Sequence, residues 1–595
     1  MQVRVLERED ELLADRPWPQ LVPGGAPYRE DRQLARRLVA GVLVVAGLVV
    51  LGTLLYAASN HAAPGNSDGA TVILEGKALS AGNLTLKNWA LSLDSFWLVD
   101  VPLYAIAVLF AGVRPQLLHL VPTLVALGVI CIGAWIARFG RRGWAAVLAG
   151  GAVIVLLGLP TRELAANFLM GPLHVTTVLW CLMAFVALRR GRYGWSWLLA
   201  LGFLTVGMLG DLQAAVLGVV PVCLAGIVRS LRTHSWRAGA PAVTAGLGSV
   251  MAAETVRYVT SAVGTFSVAG MNPRASLHQM ILNLRGLFGY GASLGGVAIK
   301  PFSSDTQSTI VQVTHAIGLA VVVIAVVLAA VAALQSSTEG LRAAIPRLRA
   351  RPSSEGPRAE VTQLAPGAAG TWFEDVVMFG FLAACAIYVS LTLVSSNVYD
   401  RYMTSVVIFG SILAARLVGR VAERVGTRRM RAALLAAASL VLVGYVASFA
   451  SSLTSPPPVQ ASTALVSYLE AHHLTLGIGD YWSSSIATVE SSEAVQVRPV
   501  TTDPVNGYLR RYNRQMTSAW YGEGFQFFVY NTALPWQSVD AQSATASFGP
   551  PLHVIPVSTY RVLTWGHDLS VPVNGGYVRY AATSSAACRQ QRCAA

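Results

Sequence analysis

The chain has 595 residues, of which 54% are hydrophobic and only 12% charged, about half the charged share of an average soluble protein. Its 54 Gly and 28 Pro follow no period, which excludes collagen-like and low-complexity architectures. The formal charge of +14 rests on arginines gathered in short loops between apolar runs, a pattern of cytoplasmic loops rather than of a nucleic-acid-binding face, so no nucleic acid is expected as a partner.

A bilayer core of roughly 30 Å needs about 20 apolar residues per helix. Runs that meet or approach that length lie at 37–58, 117–137, 144–160, 172–188, 193–209, 211–228, 238–260, 309–334, 373–396, 401–418 and 431–450. The first follows a polar segment, residues 1–36, that carries Arg32 and Arg36, with Arg37 at the head of the run itself, and it is too long and too far in for a cleaved signal peptide. The N-terminus is therefore expected in the cytoplasm.

One further apolar run, FWLVDVPLYAIAVLFAG at 96–112, decides the count. The basic loops are RFGRRGW (138–144), RRGRYGW (189–195), RSLRTHSWR (229–237), the stretch 335–372, and 416–432 with Arg416, Arg420, Arg424, Arg428, Arg429 and Arg431. All fall on the cytoplasmic side only if 96–112 does not cross, so it reads as an interfacial or re-entrant helix. A full crossing is the alternative. The expected fold is an α-helical polytopic membrane protein of about eleven transmembrane helices, or about twelve. Its multi-span domain occupies 37–450, with external loops 59–116 and 261–308 and a cytoplasmic linker 335–372.

Residues 451–595 form an extracytoplasmic tail that opens at SPPP (455–458) and is long enough for a soluble domain. Its early part reads as a helix, a short turn, a second helix around Trp482, and a strand through Val495, Val497 and Val500; HVIPVSTYRVLTW reads as strands. A small α/β or α+β domain is expected. Cys131, Cys181, Cys223 and Cys385 sit inside apolar runs as small hydrophobes, whereas Cys588 and Cys593 would close a disulfide loop on an oxidising face. No cysteine or histidine spacing marks a zinc site.

Ionisable residues at the membrane boundary are the functional candidates. Asp94 and Asp100, in LSLDSFWLVDVPLYA, lie where the first external loop meets the membrane. On one helix they would stand about 9 Å apart along the axis, so one of them alone acts; Asp94 also suits a helix N-cap. Asp68 reads as loop. Asp211 falls in a tight external turn, MLGDLQAAVLGVVP, where it either caps the next helix or faces a cavity; Glu163 and His174 mark another external turn. Glu254 and Arg257, three apart, share a helix face and pair or line a polar cavity.

The basic counterpart is YDRYM (399–403), with Arg401 between Tyr399 and Tyr402. An external Arg runs against the charge bias, and a guanidinium suits bidentate phosphate binding. Arg274, His278 and Arg285 lie in the 261–308 loop, where Leu277, Ile281, Leu284 and Leu287 trace an interfacial helix. Acids and arginines together at the lipid boundary suit a lipid-linked phosphate.

With many crossings, an acidic first external loop (Asp94, Asp100), the GDLQAAVLGVVP turn, the YDRYM helix start and an external tail with GIGDYWSSS, the chain resembles the GT-C superfamily of integral-membrane glycosyltransferases. The resemblance implies a sugar donor on polyprenyl phosphate, used at the cell membrane on its extracytoplasmic face for cell-envelope biogenesis. It also implies a catalytic carboxylate in the first external loop, though the family's adjacent acidic pair is missing here. On this reading Asp94 or Asp100 is the general base of an inverting transfer, and Arg401, Tyr402, Tyr399, Arg274 and Arg285 hold donor phosphate and lipid. Asp480, Tyr481 and Trp482 bind a glycan or lipid acceptor. No metal ligand is assigned; a divalent cation, Mg or Mn, is an open option. The Arg-rich, Lys-poor composition suggests a high-GC bacterium such as an actinobacterium. Rival readings are a polysaccharide flippase, an O-antigen-type ligase or polymerase, and a non-catalytic cell-wall-binding scaffold.

Overall fold

The structure is a computed structural model that describes residues 27–171, 174–268, 275–299, 308–349, 368–390, 401–522, 524–534 and 537–574. Tyr399, Arg274 and the Cys588–Cys593 pairing lie outside the described residues. The chain divides into two compact units, Met1–Thr53 and Leu54–Ala595. In the first, Leu38, Val42, Leu43 and Val49 all face outward, as on a helix whose solvent is lipid rather than water.

Among the described residues, each of the eleven apolar runs contains a helix. In chain order the helices begin with α1 (Pro27–Ala62), α2 (Ser67–Ser80), α3 (Val101–Ala111), α4 (Leu117–Arg138), α5 (Gly143–Gly158), α6 (Arg162–Phe168), α7 (Val175–Ala187) and α8 (Trp195–Gly210). They continue with α9 (Val220–Thr233, after a π-helical turn Ala215–Val219), α10 (Trp236–Val263), α11 (Leu277–Leu294), α12 (Thr309–Arg349), α13 (Ala368–Ser390), α14 (Thr404–Arg424) and α15 (Arg428–Thr454). Seven spans among the described residues are long and apolar enough to cross a membrane, or eight if α5 and α6, bent by 89°, count as one. The remaining runs fall short of the expected eleven for physical reasons: α7 and α8 have only 13 and 16 residues, and α10 is diluted by Gly, Ser and Thr. Helix α3, with 11 residues, is about 16 Å long and cannot bridge a 30 Å core. The helix within run 96–112 is thus too short to cross, which agrees with the interfacial or re-entrant alternative for this segment.

The tail folds as α16 (Ala461–Ala471), α17 (Tyr481–Glu490), α18 (Ala541–Phe548) and α19 (Ser570–Val573) around strands. Strands β1 (Trp89–Leu91) and β2 (Ser267–Val268) come from the loops of the helical part; β3 (Leu476–Gly479), β4 (Gln496–Thr502), β5 (Leu509–Arg511), β6 (Met516–Thr517), β7 (Phe527–Asn531), β8 (His553–Val557) and β9 (Tyr560–Thr564) come from the tail. Six of them form a sheet in the order β5-β4-β3-β7-β9-β8, with β3 parallel to β4 and β7 and the outer pairs antiparallel. Alternation in FFVYN puts Phe527 and Val529 against α16 and α17, and Phe528 against α18. This is the α/β alternative.

Strand β3 is where the sequence misled. LGIG reads as a turn because glycine favours turns, yet it is a central strand. A Cβ on Gly477 would meet the Phe527 ring and one on Gly479 the Val529 carbonyl, so these glycines serve close packing. A second small sheet, β2-β1-β6, joins both loops of the helical part to the tail, and Trp89 packs edge-on to Trp520 at 5.1 Å. Helix α17 also lies on α2, with Ile486 and Val489 inside the cluster of Val72, Ile73, Trp97 and Tyr104.

Candidate active site

Two turns meet to build the site. The Phe96 N–H donates to the Gly210 carbonyl at 2.7 Å, and a Cβ on Gly210 would lie 2.5 Å from Val99. Only glycine lets the end of α8 come this close to the loop before α3. That contact sets Asp211 beside Asp94. His174 enters from the N-terminal end of α7 with φ of 63°, and Phe96 has φ of 53°; non-glycine residues rarely take this left-handed backbone, and it recurs at functional sites. One ligand atom from each of Asp94, His174 and Asp211 lies within 4.8 Å of the others.

Asp211 is the hub. It is 1% exposed. Its Oδ2 accepts from His174 Nδ1 at 2.7 Å and Thr177 Oγ1 at 2.5 Å, and its Oδ1 from the Gln213 N–H at 2.8 Å. Gln213 Nε2 also lies 3.0 Å from His174 Nε2. Burial opposes the Asp211 charge, but His174 and these donors outweigh it and hold the carboxyl below its usual range. Burial likewise opposes charge on His174, and Asp211 overcomes it, raising the imidazole. Asp94 is the third party. Burial first and the Asp211 charge second lift its carboxyl well above the ordinary value.

Asp100 lies apart from this trio. It is 3% exposed, accepts from Thr176 at 2.6 Å, and is pushed up to about 7, mainly by burial. It stands at the N-cap position of α3 without a side-chain cap bond, so the expected cap at Asp94 is corrected: the helix starts six residues later, and Asp94 is free to join Asp211. Of the two readings of Asp211, capping of the following turn is seen through the Gln213 N–H, while the carboxyl is turned inward to the cluster rather than toward a cavity.

Arg401 and Tyr402 close the site from the start of α14. Tyr402 stacks on His174 with centroids 5.3 Å apart, and the Arg401 guanidinium lies 5.4 Å from the Tyr402 ring centre. Asp68, read from sequence as loop, is instead a link. Its Oδ2 is 3.8 Å from Arg401 and its Oδ1 accepts from the Tyr481 hydroxyl at 2.5 Å. Tyr481, expected among acceptor-binding residues, is thus turned inward and stacks on Tyr512. Asp480 is fully buried, caps α17 through the Ser483 N–H at 3.1 Å, and accepts from the Asn531 N–H at 3.0 Å. Trp482 packs edge-on to Tyr481.

The other sequence candidates stand elsewhere. Glu163, in the first turn of α6, accepts from Ser293 of α11. Glu254 pairs with Arg257, as their spacing implies, and Arg257 also donates to the Met208 carbonyl at 2.5 Å. His278 and Arg285 are exposed on α11. Sequence reasoning passed over Thr176, Thr177 and Gln213, polar partners with no motif of their own, and Glu75. Glu75 is 1% exposed and held well above the carboxylate range, by burial first and then by Asp100 and Asp68; a lone acid in ATVILEGKAL was the available signal.

After Arg401, Met403 and then Val406 and Val407 of α14 line an apolar cleft of about 420 Å³. Leu287 and Phe288 of α11, Val322 of α12 and Tyr445 of α15 complete its walls. The span Arg401–Arg424 therefore carries a guanidinium at the polar cluster in its opening turn and an apolar cleft wall along the start of α14.

Fold and site together define a polytopic α-helical membrane protein with a buried carboxylate–imidazole cluster under a sheet-bearing tail. No protein-family model and no curated protein matches the chain. Among solved structures, the chain is similar to ArnT from Cupriavidus metallidurans bound to undecaprenyl phosphate, at 13% identity and a TM-score of 0.46, covering 88% of this chain and 97% of that one. It is also similar to the Archaeoglobus fulgidus oligosaccharyltransferase in complex with Zn and sulfate, at 11% identity and a TM-score of 0.44, covering 82% and 68%. The archaeal oligosaccharyltransferase AglB with an inhibitory peptide and a dolichol-phosphate matches at 12% identity and a TM-score of 0.41, covering 89% and 77%.

Proposed function

We propose that this chain is an integral-membrane glycosyltransferase that moves a sugar from a polyprenyl-phosphate donor to a cell-envelope acceptor. The observation that supports it most is the layout of the span Arg401–Arg424, a short turn followed by α14: Arg401 and Tyr402 beside the Asp94–His174–Asp211 cluster, then Met403, Val406 and Val407 along an apolar cleft of about 420 Å³. A lipid phosphate needs this combination, a guanidinium for the head and an apolar wall for the chain. On this reading the cluster faces the extracytoplasmic side and the arginine-rich loops the cytoplasm.

Asp94 is the base. Its carboxylate takes the proton of the acceptor hydroxyl, the hydroxyl oxygen bonds to the anomeric carbon, and the bond from that carbon to the phosphate oxygen breaks. The electron pair leaves with polyprenyl phosphate, whose charge Arg401 stabilises, and the configuration inverts. General-base assistance contributes roughly 10²–10⁴-fold, and stabilisation of the departing charge is commonly the larger share. Asp211 fixes His174 and keeps Asp94 basic by its own charge. The two carboxylates and one imidazole also fit a divalent cation, and an O,O,N set suits Mn better than an all-oxygen ion such as Mg. When bound, such an ion would supply further charge stabilisation to the phosphate.

A photoreactive polyprenyl phosphate tests the reading in reconstituted membranes. It should label α14 and the facing residues of α12 or α11, and Arg401→Ala should weaken labelling about tenfold, the worth of roughly 1.4 kcal/mol. Labelling elsewhere, or labelling indifferent to Arg401, overturns the assignment.

A further inference from the structure

The residues expected to hold an acceptor, Asp480 and Tyr481, are consumed by the fold. A polar cavity lies elsewhere, between the helical part and the tail. A cleft of about 430 Å³ opens where the ends of α1 and the start of α4 meet the linker after α15 and the end of α17. That is within the roughly 300–1,000 Å³ of small-molecule sites. Its polar lining is Asn60, His61, Gln116, His119, Gln460 and Glu490, and its flat walls are Tyr56 and four prolines, Pro64, Pro115, Pro457 and Pro458.

We infer that this cleft binds a neutral glycan, the part of the acceptor that does not react. The inference rests on the glycosyltransferase reading for its role, but not for its binding. Three carboxamides, two imidazoles and a carboxylate offer mixed donors and acceptors, which hydroxyl-rich sugars satisfy and apolar ligands do not. Among the described residues no Arg or Lys lines the cleft, and Glu490 faces it, so phosphorylated or uronic acid chains are disfavoured. The amides are held in place: Gln460 Nε2 donates to the Gly65 carbonyl at 3.2 Å and to Ser462 at 2.7 Å, and Asn60 to the Tyr56 carbonyl at 2.7 Å. His61 Nδ1 lies 2.8 Å from the Ser455 carbonyl.

A much smaller hollow adjoins the cleft. Ser59, Ala63, Gly65 and His119 border a narrower hollow of about 10 Å³, which reaches Asn66, Gly69 and Gly171. Asp68, the partner of Arg401, adjoins Gly69. A hollow this size holds about one water, so the cleft seats the distal sugars while the reacting end approaches the cluster from outside the hollow.

The test uses the full chain in lipid nanodiscs and saturation-transfer NMR with xylotetraose, mannotetraose and galactotetraose, and with tetragalacturonate as the anionic control. At least one neutral tetrasaccharide should bind at millimolar concentration or below. Gln116→Ala with Gln460→Ala should weaken it about tenfold or more, equal to roughly 1.4 kcal/mol. Gln116→Ala alone, at an exposed position, should weaken it in the same direction without touching the fold. Glu490→Gln should bring tetragalacturonate closer to the neutral sugars. No neutral binding, binding indifferent to both variants, or tetragalacturonate binding as tightly as the neutral sugars overturns the inference. Donor photolabelling of the same samples reports separately: its loss with glycan binding retained sinks the transferase reading and leaves the glycan site standing.

Discussion

Replacing Asp211 by Asn separates the account from a generic loss of an acidic residue. The substitution keeps shape but removes a charge and half of the accepting capacity. In the folded protein Oδ2 receives His174 at 2.7 Å and Thr177 at 2.5 Å, while Oδ1 receives the Gln213 N–H at 2.8 Å. Whichever way the Asn amide turns, its NH₂ faces at least one of these donors. If it faces the His174 side, two charge-assisted hydrogen bonds are lost, about 3–6 kcal/mol at roughly 1.5–3 each. Carried to the transition state, that is about a 10²–10⁴-fold fall in turnover. A second signature accompanies it. The Asp211 charge is the second-largest cause of the raised Asp94 carboxyl, so its removal shifts the rising limb of the residual pH–rate profile toward acid. The assay is release of polyprenyl phosphate from polyprenyl-phosphoryl sugars in proteoliposomes across pH. Full activity in the variant, or a fall with the limb unmoved or displaced toward alkali, would refute the reasoning.

Further outcomes are expected. In the unmodified chain, a base whose carboxyl is raised must shed its proton before it acts, so kcat/KM rises with pH through the shifted range rather than near the usual carboxylate value; a rate flat from pH 5 to 8, measured as initial velocity, would speak against Asp94. Asp100→Asn leaves the Thr176 contact largely replaceable and should cost less than about tenfold in turnover, far below the effect at Asp94. Tyr481→Phe removes the donor that steadies Asp68 and should raise the donor KM about 3–10-fold with kcat little changed, the worth of a single hydrogen bond of roughly 0.5–1.5 kcal/mol; a change in kcat alone would exclude a role through Arg401. Gly210→Ala forces a Cβ onto Val99 and should abolish turnover while thermal unfolding shifts only modestly.

Much of this was legible in the sequence because it follows from local rules. Apolar run length gave the helices and their order, and the helix in 96–112 is the short one, with 11 residues. Alternation gave β4, β8 and β9. What periodicity cannot carry is long-range packing. LGIG became a strand because Phe527 and Val529 need the space its glycines leave, a fact held by residues fifty positions away. The same limit governs the site. Asp94, His174 and Asp211 were each visible as polar residues at helix ends, but their meeting depends on Gly210 closing against Val99 and on left-handed backbone at Phe96 and His174. Asp68 looked like loop because its two partners, Arg401 and Tyr481, lie more than three hundred residues on.

The most direct test of the central claim is single-turnover release of polyprenyl phosphate by the reconstituted chain and by Asp94→Asn, with folding of both checked by circular dichroism. The account predicts release by the unmodified chain with at least one polyprenyl-phosphoryl sugar, and a loss of about 10²-fold or more in the variant. Equal release by both, with the variant folded, would contradict it.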